Sequence, residues 1–207
     1  MKTRTLPFPI GHKHNRGTTM KKMLLALALA GSTLLSAAAS AETLKIGTEG
    51  AYPPFNYVDT DGKLKGFDVD IALALCEEMK VECEVVAQDW DGMIPALLAG
   101  KFDAIFASMS ATDERKKVID FSEKYYNTPP AIAVPKDSDI KGVTPEDLAG
   151  KTVGAQVSTM HADYVEKVLT ESELKSYPTA DEYKLDLANG RLDAANDDIV
   201  VLSEWLK

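Results

Sequence analysis

The stretch 102-FDAIFASMSATDER-115 decides the fold, because it joins a short apolar segment to a run of polar residues. Its first six residues are typical of a strand buried in a parallel sheet. Three hydroxyl groups at alternate positions follow, and then an arginine, namely Ser108, Ser110, Thr112 and Arg115. Thr112 and the two acids after it predict a helical turn with a hydroxyl cap.

A strand end of this kind suits a carboxylate ligand. Where a parallel strand leads into a helix, backbone N–H groups and the positive end of the helix dipole meet at one edge of the sheet. The planar guanidinium of Arg115 can hold both oxygens of a carboxylate. The same residues also fit a helix cap beside a surface arginine, and this stretch alone leaves both interpretations open.

The rest of the chain alternates short apolar runs with helical patterns from Leu44 onward, which indicates α/β units around parallel sheets. The first series has predicted strands at 44–49, 83–88 and 102–107, and helices at 68–80 and 92–99. The segment 125-YYNTPPAIAV-134 breaks the alternation and predicts a crossing between two domains. The second series has predicted helices at 145–149, 160–169 and 181–189, strands at 151–156, near 175–177 and at 192–197, and a terminal segment at 199–206.

Three further segments place polar or aromatic residues at predicted strand ends. The loop 49-EGAYPPF-55 follows the first strand, and its two prolines stiffen it around Tyr52. Trp90 follows another strand and could form the opposite wall of a slot for a ligand side chain. In the second half, 158-STMH-161 precedes a helix, and 196-NDD-198 ends a strand with carboxylates that suit an ammonium group. Each feature also has a simpler interpretation, as a core or rim aromatic residue or as a turn with helix caps.

The N-terminal region indicates export. Lys21 and Lys22 precede the apolar run 23-MLLALALA-30, and 39-ASA-41 is typical of a cleavage site, so we predict a leader and signal peptide over residues 1–41. A membrane anchor is the alternative, but the apolar run is too short to span a bilayer comfortably.

Charge and cysteine content narrow the function further. Residues 1–41 contain six basic and no acidic side chains, so their removal takes the formal charge from −9 to −15. Such an acidic chain is a poor nucleic-acid binder, and it could favour cationic small molecules or simply have a solvated acidic surface. Cys76 and Cys83 are the only cysteines, and in an oxidising compartment we expect a disulfide between them rather than free thiols. Zinc would need more ligands than this region offers.

The chain resembles the periplasmic amino-acid-binding proteins of ABC importers, solute-binding protein family 3. The resemblance is most specific in TEGAYPPFNYVDTDGKLKGFDVDIALALCEEM and QDWDGMIPALLAGKFDAIFASMSATDERKKVIDFS, and covers essentially all of 42–207. Within that family it is most similar to the branch that binds lysine, arginine and ornithine, histidine, or opines. The spacing of the two cysteines also matches the disulfide of that branch.

The resemblance implies a type II periplasmic-binding-protein-like α/β fold, with a first lobe (42–130) and a second lobe (131–207) joined by a hinge and closing on the ligand. It implies these ligand contacts: Arg115, Ser110 and Thr159 for the α-carboxylate, Ser108 and Asp198 for the α-ammonium, Tyr52 and Trp90 around the side chain, and Glu49 at its cationic end. No cofactor and no metal are expected. An ABC permease is the implied partner of a monomeric protein.

Two departures from the family pattern affect these expectations. Met160 stands where some relatives have a second threonine, which leaves the hydroxyl contacts there open, and we expect His161 to face solvent. Family members also continue for several tens of residues past the position of Lys207, so we expect the first lobe to lack its usual C-terminal completion.

The predicted function is periplasmic binding of an amino acid, with a basic amino acid or an opine favoured. An alternative on the same fold is a dehydratase that acts on cyclic precursors of phenylalanine, with Glu49 as general acid. No nucleophile–base set accompanies Glu49, so we predict that the protein is not an enzyme. A third possibility is a ligand-sensing module that works with a receptor.

Overall fold

The computed structural model describes residues 43–207. In chain order its strands are β1 (Leu44–Thr48), β2 (Ala51–Tyr52), β3 (Asn56–Val58), β4 (Leu64–Lys65), β5 (Cys83–Ala87), β6 (Ala104–Ile105), β7 (Pro130–Ala133), β8 (Thr152–Gln156), β9 (Glu173–Tyr177) and β10 (Ala194–Asp198). Its helices are α1 (Phe67–Met79), α2 (Met93–Leu98), α3 (Pro145–Leu148), α4 (Met160–Lys167), α5 (Ala180–Ala188) and α6 (Ile199–Trp205). The predicted leader and signal peptide lie outside the described residues. None of the helices in 43–207 has the length and hydrophobicity that a membrane crossing requires.

The first lobe is built on a parallel sheet in the order β5-β1-β6. Helix α1 buries one face, including Val69 and Ala72, beside Ile46 of β1, and α2 packs Met93 against Phe102. Strand β6 is shorter than the predicted 102–107. The N–H of Phe106 still donates to the carbonyl of Gly47 (2.9 Å), but the chain then leaves the sheet, and Ser108 has a left-handed backbone with φ 54.

The second lobe is built on a four-stranded sheet in the order β7-β10-β8-β9, in which only β7 runs antiparallel to its neighbour. Strand β7 lies in the predicted crossing segment and pairs Pro130 with Asp198. Helix α5 covers one face of this sheet with Tyr183 and Leu187, while Val165 of α4 packs against Leu148 on the other side. The carboxyl ends of β8 and β10 and the start of α4 line a cleft, opposite residues that follow the strands of the first lobe.

A small antiparallel sheet, β2-β3-β4, was not predicted. It carries Tyr52 and Phe55 onto a hydrophobic cluster that includes Tyr177 and Tyr183 of the second lobe. The chain passes from this sheet into α1 at Gly66, whose φ is 116. A Cβ at that position would lie 2.4 Å from the carbonyl oxygen of Phe55. Only glycine permits this return to α1.

The predicted disulfide is confirmed. Cys76 of α1 is bonded to Cys83 of β5, across a sequence separation of 7 residues. The bond lies where β5 begins, so it braces the end of the first lobe opposite the cleft.

Candidate ligand-binding site

One cavity lies between the two lobes, at the carboxyl ends of the parallel strands, and the space of about 430 Å³ there includes open solvent. All eight residues named from the sequence line it, namely Glu49, Tyr52, Trp90, Ser108, Ser110, Arg115, Thr159 and Asp198. Five further lining residues were not among the expected ligand contacts, namely Ala107, Gln156, Met160, His161 and Asp197. The structure thus brings the candidate residues together, and their contact with a ligand stays a prediction.

Arg115 is held rigidly at the cleft. One guanidinium nitrogen donates to the carbonyl of Ser110 (2.8 Å) and another to the carbonyl of Ser158 in the second lobe (2.8 Å). The group also lies over the Trp90 ring, 5.2 Å from its centroid, which is a cation–π geometry. Burial lowers the pKa of Arg115, opposed by the charge of Asp163. The guanidinium keeps further N–H donors for an incoming anion.

The hydroxyls around Arg115 have differing partners. Ser108 Oγ donates to Asp68 (2.7 Å), and Ser110 Oγ contacts the sulfur of Met160 (3.1 Å). Thr159 Oγ1 donates to the carbonyl of Gln156 and accepts from the N–H of Ala162, so it caps helix α4. Its hydroxyl proton is therefore already committed, and the N-terminus of α4 faces the cleft beside it.

Two adjacent carboxylates of β10 form the second-lobe wall. The Tyr52 hydroxyl reaches across from the first lobe and donates to Asp197 (2.5 Å) and to Asp198 (3.1 Å). Asp197 also accepts a hydrogen bond from Tyr183. Burial, followed by the charges of Asp197 and Asp198, raises the pKa of Tyr52, so this hydroxyl remains a donor.

His161 departs from expectation. It was predicted to face solvent, but only 7% of it is exposed, and its Nε2 lies 3.5 Å from a carboxylate oxygen of both Asp197 and Asp198. The reason is its place in the first turn of α4, which packs against β10. These three side chains offer ligand atoms within 4.8 Å of one another and could hold a cation.

Glu49 lies where β1 ends, and its carboxylate accepts a hydrogen bond from Gln156 Nε2 (2.6 Å) across the cleft. Burial raises the pKa of Glu49 to about 7, with smaller contributions from Asp197, Asp181 and Asp89, against the lowering effect of Gln156. A desolvated carboxyl whose pKa lies near 7 ionises more readily when a cationic group is placed beside it.

A wider crevice of about 1040 Å³, open to solvent, adjoins this cavity. It shares Glu49 and Trp90 with the cavity and adds Asp89 and Asp91 from the first lobe. The opposite wall comes from the second lobe, at Ser176–Thr179. Its first-lobe side is thus strongly acidic.

The sequence contained partial signals for the residues that were missed. Asp197 lies within the quoted run 196-NDD-198, from which only Asp198 was selected. Gln156 is the last residue of a strand whose neighbours were named, and the rule that ligands meet the carboxyl ends of parallel strands points to it.

The chain is similar to known proteins. The model of the family "Bacterial extracellular solute-binding proteins, family 3" matches residues 44–199, and the chain belongs to this family. The L-arginine-binding protein of Pseudomonas aeruginosa is 45% identical over 188 residues, which are 89% of this chain and 72% of that protein. The lysine/arginine/ornithine-binding periplasmic protein of Escherichia coli is 40% identical over 190 residues, covering 89% of this chain and 73% of that protein.

The fold is shared as well. The structure of an ancestral arginine-binding protein bound to arginine superposes with a TM-score of 0.76 and 40% identity, covering 79% of this chain and 73% of that one. The resemblance stated from the sequence and the two-lobed α/β fold class are confirmed by these matches.

Proposed function

We propose that this protein binds a basic amino acid or an opine in the periplasm and delivers it to an ABC permease. One observation carries the proposal. A guanidinium from the first lobe, Arg115, and a carboxylate from the second, Asp198, line the same cavity. Opposite charges on the two walls suit a zwitterion, whose α-carboxylate and α-ammonium need one partner each. The names of the similar proteins support a basic side chain.

The ligand would lie across the cleft with its α-carboxylate on Arg115, beside Ser110 and the N-terminus of α4. Its ammonium would meet Asp198 and Ser108. The side chain would run between Tyr52 and Trp90 toward Glu49. Because the cavity is partly dehydrated, each of these charge pairs is stronger than it would be in water. Binding of this kind needs no cofactor and no chemical step.

Closure of the two lobes is the proposed response to the ligand. The walls already exchange hydrogen bonds across the cleft, as between Tyr52 and Asp197 and between Arg115 and Ser158. A ligand that pairs with charges on both lobes stabilises this closed arrangement over an open one. The hinge would lie in the crossing segment 125–134, and the closed surface is what a permease would recognise. We propose that the protein acts as a monomer.

Isothermal titration calorimetry with L-arginine, L-ornithine, L-lysine and octopine tests the proposal. We expect Arg115→Ala and Asp198→Ala each to remove most of the affinity, because each leaves a buried ligand charge without its partner. Lys116→Ala and Glu166→Ala make matched charge changes at exposed positions and should bind as the unaltered protein does. Micromolar or tighter binding by either cleft variant would contradict the proposal.

The dehydratase alternative has one observation in its favour, which is the Glu49 pKa of about 7. A carboxyl that is protonated near neutrality can serve as a general acid. Incubation with prephenate and with arogenate, followed by detection of the aromatic product, separates the two functions. We expect no product, since the groups beside Glu49 are arranged for charge pairing with a zwitterion.

A further inference from the structure

A buried carboxylate stands directly behind the cleft, one layer away from the proposed ligand. Asp68 lies in the first turn of α1 and is fully buried. It accepts hydrogen bonds from three neutral groups: Asn56 Nδ2 (2.9 Å), Ser108 Oγ (2.7 Å) and the Tyr125 hydroxyl (2.7 Å). These donors come from β3, from the loop after β6 and from the segment that leads to the second lobe.

Burial of a carboxylate among neutral groups is costly, and several features offset the cost here. Three donors satisfy its oxygens, and the N-terminus of α1 contributes a favourable dipole. An asparagine would fill the same space but has one acceptor oxygen for three donors, so these contacts favour a carboxylate.

Ser108 is the donor that connects this carboxylate to the cleft. Its left-handed backbone, φ 54, is unusual for a residue other than glycine, and such outliers persist where surrounding contacts fix them. Ser108 also lines the ligand cavity. A serine hydroxyl has one proton and two lone pairs. Since the proton is donated to Asp68, only lone pairs remain for a group in the cleft.

We propose that Asp68 is a positioning residue that makes Ser108 a hydrogen-bond acceptor toward the cleft, and so selects ligands that carry an α-ammonium group. This inference rests on the proposed function, in which Ser108 and Asp198 together receive the ammonium. Asp198 supplies the opposite charge, whereas the Asp68–Ser108 pair supplies a directed acceptor whose strength is raised by the anion behind it.

The test compares L-arginine with 5-guanidinopentanoate, which is arginine without its α-amino group. Calorimetry or competition gives the ratio of the two affinities for the unaltered protein, Asp68→Asn, Ser108→Ala and the double variant. We expect Asp68→Asn to reduce that ratio by about tenfold, because it replaces a charged acceptor by a neutral one. In the Ser108→Ala background, Asp68→Asn should change the ratio little further, since the two residues act as a unit.

Tyr125→Phe is the matched control. It removes one donor from the same carboxylate but leaves the charge and the Ser108 contact in place, so it should lower the melting temperature and keep the ratio. If Asp68→Asn does not fold, the exchange Asn56→Asp with Asp68→Asn keeps one carboxylate and one amide in the pair and moves the charge away from Ser108. That variant should also lose selectivity.

Each outcome has a distinct meaning. Equal weakening of both compounds by Asp68→Asn, or by the exchange variant, would assign Asp68 a structural role only and overturn the inference. Additive effects of Asp68→Asn and Ser108→Ala on the ratio would also overturn it. An unaltered protein that binds none of L-arginine, L-ornithine, L-lysine and octopine would overturn the proposed function together with the inference.

Discussion

At the scale of a single residue, we expect Glu49 to couple ligand binding to pH. Its raised pKa, about 7, means that the empty cleft holds a proton on this carboxyl below neutrality. A cationic side chain needs the ionised form, so we expect the affinity for L-arginine to fall as the pH drops below about 7, by up to about tenfold per pH unit. Calorimetry between about pH 5.5 and 8 measures this.

Two controls isolate the contribution of Glu49 to this pH dependence. L-citrulline has an uncharged ureido group in place of the guanidinium, so its affinity should vary much less over the same range. Glu49→Gln should weaken L-arginine binding near neutrality and flatten its pH dependence. A slope that persists in Glu49→Gln would show that Glu49 is not the source of the pH dependence.

At the scale of elements, the disulfide and the cleft lie at opposite ends of the first sheet. Cys76 and Cys83 join α1 to the start of β5, whereas the proposed ligand residues follow the strand ends. Replacing both cysteines by alanine should lower the free energy of unfolding by about 2 kcal/mol, as expected for so short a closed loop. Thermal and denaturant melts measure the loss.

The affinity of that double variant for L-arginine is the informative companion measurement. We expect it to remain within about twofold of the unaltered value, because changes at distant sites with no shared contacts act independently. Dithiothreitol treatment of the unaltered protein should reproduce the lower melting temperature. A large loss of affinity at temperatures where the variant is folded would show that the brace also shapes the cleft.

The elements that could be predicted from the sequence are those with clear periodicity or caps. Helix α1 and strand β1 were placed to within a residue or so, because apolar spacing fixes the face that each buries. Strands β2, β3 and β4 were missed, since two or three residues are too few to show a period. The early end of β6 was also missed, and the hydrogen bond that Ser108 then makes with Asp68 joins residues 40 positions apart, which no local pattern indicates.

The candidate site, like the helices and strands, could be predicted only in part. Charged, aromatic and hydroxyl residues at strand ends indicated a ligand site, and the family resemblance implied eight contact residues that all line the cavity, but the residues behind them were not predicted. Asp68 looked like an acid in the first turn of a helix, which is a common surface feature. Its carboxylate accepts a hydrogen bond from Tyr125, in the segment that links the lobes, and no local sequence pattern indicates that contact.

At the scale of the whole molecule, negative charge should speed the capture of a cationic ligand. The chain has a formal charge of −9, and the crevice beside the site adds Asp89 and Asp91 next to Glu49. A field of this sign attracts cations over a distance that salt shortens. We expect the association rate of L-arginine to fall severalfold between about 10 mM and about 300 mM sodium chloride, and that of L-citrulline to change little.

Stopped-flow fluorescence can follow this step, because Trp90 forms a wall of the cavity. Asp89→Asn removes a charge at the crevice and should slow association more than Glu78→Gln, which removes the same charge from an exposed position on α1. The dissociation rate should change less than the association rate, since Asp89 acts on the approach of the ligand and lines the crevice rather than the cavity. Equal effects of the two variants would mean that the overall charge matters and the acidic crevice does not.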